Sequence, residues 1–296
     1  MKDQADALRE RINNMEPIEG SVVKKSLTQV YSIVSGKGGV GKSNVAVNFA
    51  LQLQKMRKKV LIIDLDIGMA NIDILLGTSS SYSIVDMLEK DMSIWSIIER
   101  VESGLSYIAG GSGLNHLFKM NDQKADSFSR ELLSLEGHFD YIFLDMGAGV
   151  TSDSFHFLLS AHETLLVTTP EPTSITDAYA MIKFLTLNDR TIPISVIVNR
   201  ASSKKDGENA SRNLQQVTEK FLKREIHYLA YIPNDQIVWK AVRAQTPFLL
   251  YAPNSKPSYA IETAVHTFLG ETGRSKETFD HFINKLKGFL KGGKKP

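Results

Sequence analysis

The residues of this chain best spaced for chemistry form a set suited to holding a phosphate. Gly36-Lys37-Gly38-Gly39-Val40-Gly41-Lys42-Ser43 fits the pattern of a glycine, four residues, then glycine, lysine and a hydroxyl residue. Glycines permit dihedrals that a Cβ forbids, so successive N–H groups can line one concavity for an anion. A helix start at the same place adds its dipole. Lys42 then reaches the β- and γ-phosphates and the Ser43 hydroxyl ligates Mg²⁺, with Asn44 continuing the loop into the helix. Two further stretches bring acids. Asp64 and Asp66 follow the apolar run 59–63, and Asp145 closes Asp140-Tyr141-Ile142-Phe143-Leu144. In an open parallel sheet ligands bind outside the carboxyl ends of the strands, so all three carboxylates are delivered toward the phosphates. The plainer readings are a glycine-rich turn and acids that merely cap strands.

The elements that must position these groups are legible. Val30 to Val34 is a short β-branched and aromatic run before the loop, and Val45, Phe49 and Leu53 recur at helical spacing after it. Further strands read at 59–64, 105–109, 140–145, 165–170, 194–198 and 228–232, at the intervals of β-α repeats. The expected fold is α/β, a doubly wound and mostly parallel sheet with helices on both faces. Gly110-Gly111-Ser112-Gly113 reads as a turn, because no lysine and hydroxyl follow at the offset of a second phosphate loop.

Composition narrows the class. The 296 residues contain no cysteine, which excludes an iron–sulfur cluster held by thiolates. No run approaches the ~18 apolar residues of a membrane span, and residues 1–6 carry acids rather than the apolar core of a signal peptide. The net charge of +2 is uneven: residues 274–296 hold seven Lys or Arg against two acids, a net of +5, leaving −3 for the rest. Lys204, Lys205, Arg212, Lys220, Lys223 and Arg224 are interleaved with Asp206, Glu208, Glu219 and Glu225, so DNA is not expected as a partner.

The order K-G-G-x-G-K-S over residues 37–43 resembles the deviant phosphate loop of the MinD/ParA ATPases. The resemblance covers about residues 28–269 and implies an ATPase that uses ATP and Mg²⁺. It implies that Lys37 crosses to the nucleotide of a second subunit, so that ATP sits in a homodimer interface. It makes Asp66 the residue that orients the attacking water, with Lys37 and Lys42 assisting, and gives Asp64 either the first switch loop or the metal's water shell. Asp145 with Met146-Gly147-Ala148-Gly149 is similar to the second switch, where the acid holds Mg²⁺ through water and Gly147 offers its N–H to the γ-phosphate. Asn199 and Arg200 after one strand, and Pro233, Asn234 and Asp235 after the next, match positions that flank adenine. Ordinary turn chemistry would select the same residue types.

The two ends are read as appendages, 1–14 a partner-binding segment on a linker 15–27, and 270–296 a basic tail. Asp3-Gln4-Ala5, Leu8 and Arg9 resemble the N-terminal motif of FlhG, the flagellar-number branch of the MinD-like ATPases, in which the segment stimulates the GTPase FlhF. Switch-complex proteins of the flagellum are further candidate partners, and docking of the segment on its own domain is the alternative. In the tail, Phe279, Phe282, Ile283, Leu286, Phe289 and Leu290 recur at helical spacing beside Lys285, Lys287 and Lys291. Apolar face and basic rim describe an interfacial helix for the anionic inner surface of the cell membrane, placing the chain in the cytoplasm with reversible attachment. A helix packed on the domain is the other reading, and burial in the monomer with release in the dimer joins the two. A septum-site MinD and a DNA-partitioning ParA remain the alternative functions.

Overall fold

The long strands read as continuous apolar runs because they are covered on both faces; every residue of Val60–Leu65 and Tyr141–Met146 is buried. The computed structural model describes residues 28–66, 71–111, 121–147, 155–271 and 277–291. In chain order its elements are β1 (Gln29–Val34), α1 (Lys42–Lys55), β2 (Val60–Leu65), α2 (Ile72–Leu76), α3 (Ile84–Glu89), β3 (Glu99–Arg100), β4 (Ser106–Ile108), α4 (Asp122–Leu133), β5 (Tyr141–Met146), α5 (Phe155–Ser160), β6 (Glu163–Thr168), α6 (Pro172–Asn188), β7 (Ile194–Ala201), α7 (Lys204–Leu222), β8 (His227–Pro233), α8 (Gln236–Arg243), α9 (Phe248–Tyr251), α10 (Lys256–Glu271) and α11 (Phe279–Leu290). The partner segment of Asp3, Gln4, Ala5, Leu8 and Arg9 lies outside the described residues.

One sheet runs in the order β3-β4-β2-β5-β1-β6-β7-β8. Every pairing is parallel except β3 with β4. β1 is central, and its side chains alternate between two cores. Val30 and Val34 join Phe128, Phe157, Ile182 and Leu214 on one face, while Tyr31 and Ile33 join Phe49 and Phe268 on the other. Phe49 meets Phe143 and Phe268 edge-on, with ring centroids 5.8 and 5.2 Å away. The register sets Asp64 beside Asp145 and Asp145 beside Ile33, which brings both acids level with the end of β1. The expected doubly wound sheet is therefore present, with its crevice where β1 feeds the glycine loop.

The tail helix departs from the expectation of an open, lipid-facing helix. Thr278 caps α11 by accepting the His281 N–H, and the helix packs on α4 and α5. Phe279, Phe282, Ile283, Leu286, Phe289 and Leu290 are all core, between 0% and 9% exposed. The basic rim is paired as well: Lys285 with Asp189, and Lys287 and Lys291 with Asp126, each at 2.7 Å. In the single chain the residues assigned to lipid thus close one side of the sheet. The physical reason is that a core and a bilayer ask for the same stripe. Six such side chains contribute on the order of 10 kcal/mol when buried, an upper estimate, far more than partly exposed ion pairs. Among the described residues no helix is long and apolar enough to cross a membrane. Phe282→Ala is expected to cost about 3–5 kcal/mol in urea unfolding. A loss below about 1 kcal/mol, within the scatter of surface substitutions, would mean that the helix does not occupy this seat in solution.

Candidate nucleotide site

α1 begins at Gly41, which has φ 87° and carries no side-chain cap, so the first helical N–H groups are left facing the crevice. Gly41 is required twice over: its φ is left-handed, and a Cβ there would meet Asn199 Nδ2 at 2.5 Å. That same Nδ2 donates to the Val40 carbonyl at 2.8 Å, so the end of β7 braces the loop directly. At the other end of the loop a Cβ on Gly36 would fall 2.2 Å from the Asp177 backbone, which seats the loop against α6.

Lys42 is buried and donates to Asp145 Oδ1 at 2.6 Å and to Ser43 Oγ at 3.2 Å. The second oxygen of Asp145 is buried with no hydrogen-bond partner among the described residues. A lone buried carboxylate oxygen near a serine hydroxyl suits a hard cation that takes oxygen ligands and keeps several waters, so Ser43 and Asp145 fit Mg²⁺.

Asp64 behaves differently. Its carboxylate accepts the N–H groups of Asp66 at 2.9 Å, Asn71 at 3.1 Å and Ile72 at 3.4 Å. Burial, with Asp145 alongside adding to it, pushes this carboxyl up to about 7 despite those donors. Of the two roles open to Asp64, these contacts are those of a holder for the segment entering α2. Burial also lifts the Asp66 carboxyl above its ordinary value, Lys42 opposing this and Asp145 adding a smaller push upward. Asp66 lies against the second switch, since a Cβ on Gly147 would come within 3.0 Å of its Oδ1.

Gly38, Gly39, Gly41, Lys42, Ser43, Asn44 and Asp66 share a cleft of about 310 Å³ whose remaining wall is Ser35, Asn71, Ile74, Leu75 and Val242. Asn71, Ile74 and Leu75 fall in the stretch that resembles the first switch of the family, whereas sequence reasoning did not single out Ser35 or Val242. Val242 is solvent-exposed, 39%, and no motif marks it; its one signal was the apolar stripe of 236–243. Lys37 does not enter the cleft. Its ammonium donates to Thr173 Oγ1 at 3.1 Å and lies 3.8 Å from Glu171, at the start of α6.

The adenine candidates gather at the carboxyl ends of β7 and β8, where the Asn234 N–H donates to the Ala201 carbonyl at 2.8 Å. Arg200 is exposed with φ 56°. Two of them also have local work. Asn199 spends an N–H on Val40, and the Asp235 carboxylate caps α8 by accepting the Ile237 N–H at 2.9 Å. Neither of these groups lines the cleft.

A glycine loop at an uncapped helix start, a lysine paired with a strand-end aspartate and a parallel sheet with its crevice above β1 define a P-loop NTPase. Known proteins agree. The family model described as ParA: NUBPL iron-transfer P-loop NTPase matches residues 26–269. The flagellum site-determining protein YlxH of Helicobacter pylori is 34% identical over 297 residues, 98% of this chain and 100% of YlxH. The antiactivator FleN of Pseudomonas aeruginosa is 34% identical over 234 residues, 79% of this chain and 84% of FleN. The septum site-determining protein MinD of Pyrococcus horikoshii, solved with Mg-ADP, superposes with a TM-score of 0.69 at 27% identity, covering 85% of this chain and 100% of that one. The chain belongs to the ParA/MinD family of P-loop NTPases, on the branch of the flagellar regulators FleN and YlxH, also called FlhG. The iron chemistry in the family's description has no thiolate to act through here, because the chain lacks cysteine.

Proposed function

We propose that this chain is an ATPase which ATP and Mg²⁺ assemble into a homodimer at the inner face of the cell membrane, and that it regulates flagellar number and placement together with the GTPase FlhF. The flagellar part rests on kinship with FleN and YlxH. The observation that carries the chemistry is the convergence of Lys42, Ser43, Asp66 and Asp145 on the uncapped start of α1.

In this reading Lys42 turns from Asp145 to the β- and γ-phosphates, and Ser43 and Asp145 supply metal oxygens. Bound Mg²⁺ neutralises charge that builds on the phosphates during transfer. Asp66 orients the water that attacks, and Gly147 offers its N–H to the γ-phosphate. Asn199, Arg200, Pro233, Asn234 and Asp235 form the adenine side, with Asn199 acting chiefly through its brace on Val40. Lys37 leaves Thr173 and Glu171 for the phosphates of the second copy. Release of α11 then presents Phe279, Phe282, Ile283, Leu286, Phe289 and Leu290 with Lys285 and Lys287 to anionic lipid. Each lysine near such a surface contributes on the order of 1 kcal/mol. Two helices tethered in one dimer bind far better than one, through effective concentration. Asp3, Gln4, Ala5, Leu8 and Arg9 are the contact for FlhF, with switch-complex proteins as further partners.

The test is sedimentation with anionic liposomes, with and without ATP, beside light scattering for mass. The intact chain is expected to dimerise and pellet only with ATP. Lys37→Ala should bind ATP, remain monomeric and stay in the supernatant, and Lys285→Gln/Lys287→Gln, which keeps the buried stripe of α11, should dimerise and pellet less. An intact chain that does not pellet with ATP, or that pellets no better than Lys285→Gln/Lys287→Gln, removes the membrane claim, and dimers that form as readily with ADP remove the switch.

A further inference from the structure

His162 sits where β6 begins and is 1% exposed. Its backbone N–H donates to the Val30 carbonyl at 2.9 Å, and its ring Nδ1 accepts the Val30 N–H at 2.9 Å. Nδ1 is therefore the unprotonated nitrogen, which leaves the proton on Nε2. Nε2 is 3.0 Å from the carbonyl of Thr278, the residue that caps α11, and donates to it. The Phe282 ring stands edge-on to the imidazole, centroids 6.3 Å apart. One side chain in one tautomer thus joins the cap of α11 to the strand that leads into the phosphate loop.

We propose that His162 is a coupling residue which makes the seating of α11 and the ordering of β1 a single event. With α11 in place, the ring is held at both nitrogens and the Val30 N–H is satisfied. When α11 leaves, the ring loses Thr278 and the packing of Phe282, is free to turn, and leaves a buried strand N–H without its acceptor. A movement of β1 on nucleotide binding acts in the reverse sense and pulls the ring from the helix cap. The coupling deepens the proposed cycle, in which α11 departs from the ATP-bound dimer, and supplies the route between the two sites.

Protonation must break the link, because an imidazolium has donors at both nitrogens and one would face the Val30 N–H. Burial holds the ring below its ordinary 6.5; the Thr278 carbonyl and Glu277 oppose it with smaller upward effects, and His281 and Lys285 add smaller downward ones. Since the unfolded or opened chain binds the proton more readily, the link is complete above pH ~6.5 and weakens as pH falls below it.

Amide hydrogen exchange on the full nucleotide-free chain, read over 277–291 and 28–36, tests the proposal. His162→Phe keeps the ring volume and removes both bonds; it should raise opening of both segments about fivefold, the effect of one backbone hydrogen bond. His162→Asn keeps an acceptor for Val30 without reaching Thr278, so it should open 277–291 and leave 28–36 near wild type. In the wild type, opening corrected for intrinsic exchange should rise in both segments as pH drops below about 6.5, and His281→Gln should retain that rise while His162→Phe lacks it. The pH arm needs no variant, so it stands if a substitution fails to fold. In the wild type or in His162→Phe, exchange in which α11 opens with β1 unchanged overturns the coupling, and so does a His162→Phe chain as closed as wild type. If a non-hydrolysable ATP analogue never opens α11 in the wild type, the cycle fails instead, and the nucleotide-free comparison still decides the role of His162.

Discussion

Asp66→Ala is expected to slow ATP hydrolysis by about 10²–10⁴-fold, the usual contribution of a positioned acid or base, and to accumulate as an ATP-bound dimer on anionic liposomes. Asp66 is the one strand-end acid of the three whose carboxylate lines the cleft and neither pairs with Lys42 nor gathers backbone N–H groups. Its own N–H is fixed on Asp64 Oδ1 at 2.9 Å, so the backbone aims the side chain while leaving its oxygens for a water. Burial raises its affinity for a proton, which moves a carboxylate toward the range where it can take one from an attacking water. Since the proposed ATP contacts are Lys42, Ser43 and the loop N–H groups, the variant should bind normally, and because the γ-phosphate survives, the dimer should persist. Single-turnover phosphate release beside light scattering measures both. Wild-type turnover in the variant would sink the role of Asp66, and a variant that stays monomeric with ATP would sink the cycle in which hydrolysis separates the subunits.

The parts of this site that could be read from sequence are those fixed by local spacing. The loop 36–43 needs glycines because its backbone is left-handed at Gly39 and Gly41, and that requirement is written in the residues themselves. Asp64, Asp66 and Asp145 were legible because an acid ending an apolar run is unusual, and parallel pairing then brings Asp64 level with Asp145. What was not legible depends on partners far along the chain. The tail helix shows the same stripe whether it meets lipid or core; its burial is decided by Phe155, His156 and the α4 face, and its lysines by Asp126 and Asp189. Asn199 reads as an adenine contact, and its brace on Val40, 159 residues earlier, is invisible in the sequence. Val242 has no chemistry to announce it, and its place in the cleft follows from where α8 returns over α2. There Gln245 abuts Gly77 closely enough that a Cβ on the glycine would meet its carbonyl at 2.8 Å.

Lys42→Met should be the most damaging single change to both stability and binding, and the two losses can be separated. Lys42 and Asp145 are 6% and 0% exposed and 2.6 Å apart. Taking away the ammonium leaves a fully buried carboxylate without its cation, at a cost of about 3–5 kcal/mol. Much of that cost belongs to the stranded charge rather than to the worth of the pair, so neutralising the partner should recover most of it. The double variant Lys42→Met/Asp145→Asn is therefore expected to unfold in urea close to wild type, an interaction energy that two residues in contact can show. It should still gain nothing from Mg-ATP, whereas the wild type at a hundredfold excess over its dissociation constant gains about 2.7 kcal/mol. A single variant as stable as wild type would mean that the ion pair does not exist in solution. A double variant stabilised by Mg-ATP would mean that nucleotide is held without Lys42. The expected pattern, fold restored and binding absent, assigns the pair its meaning: in the nucleotide-free chain each residue satisfies the charge that phosphate and metal would otherwise meet.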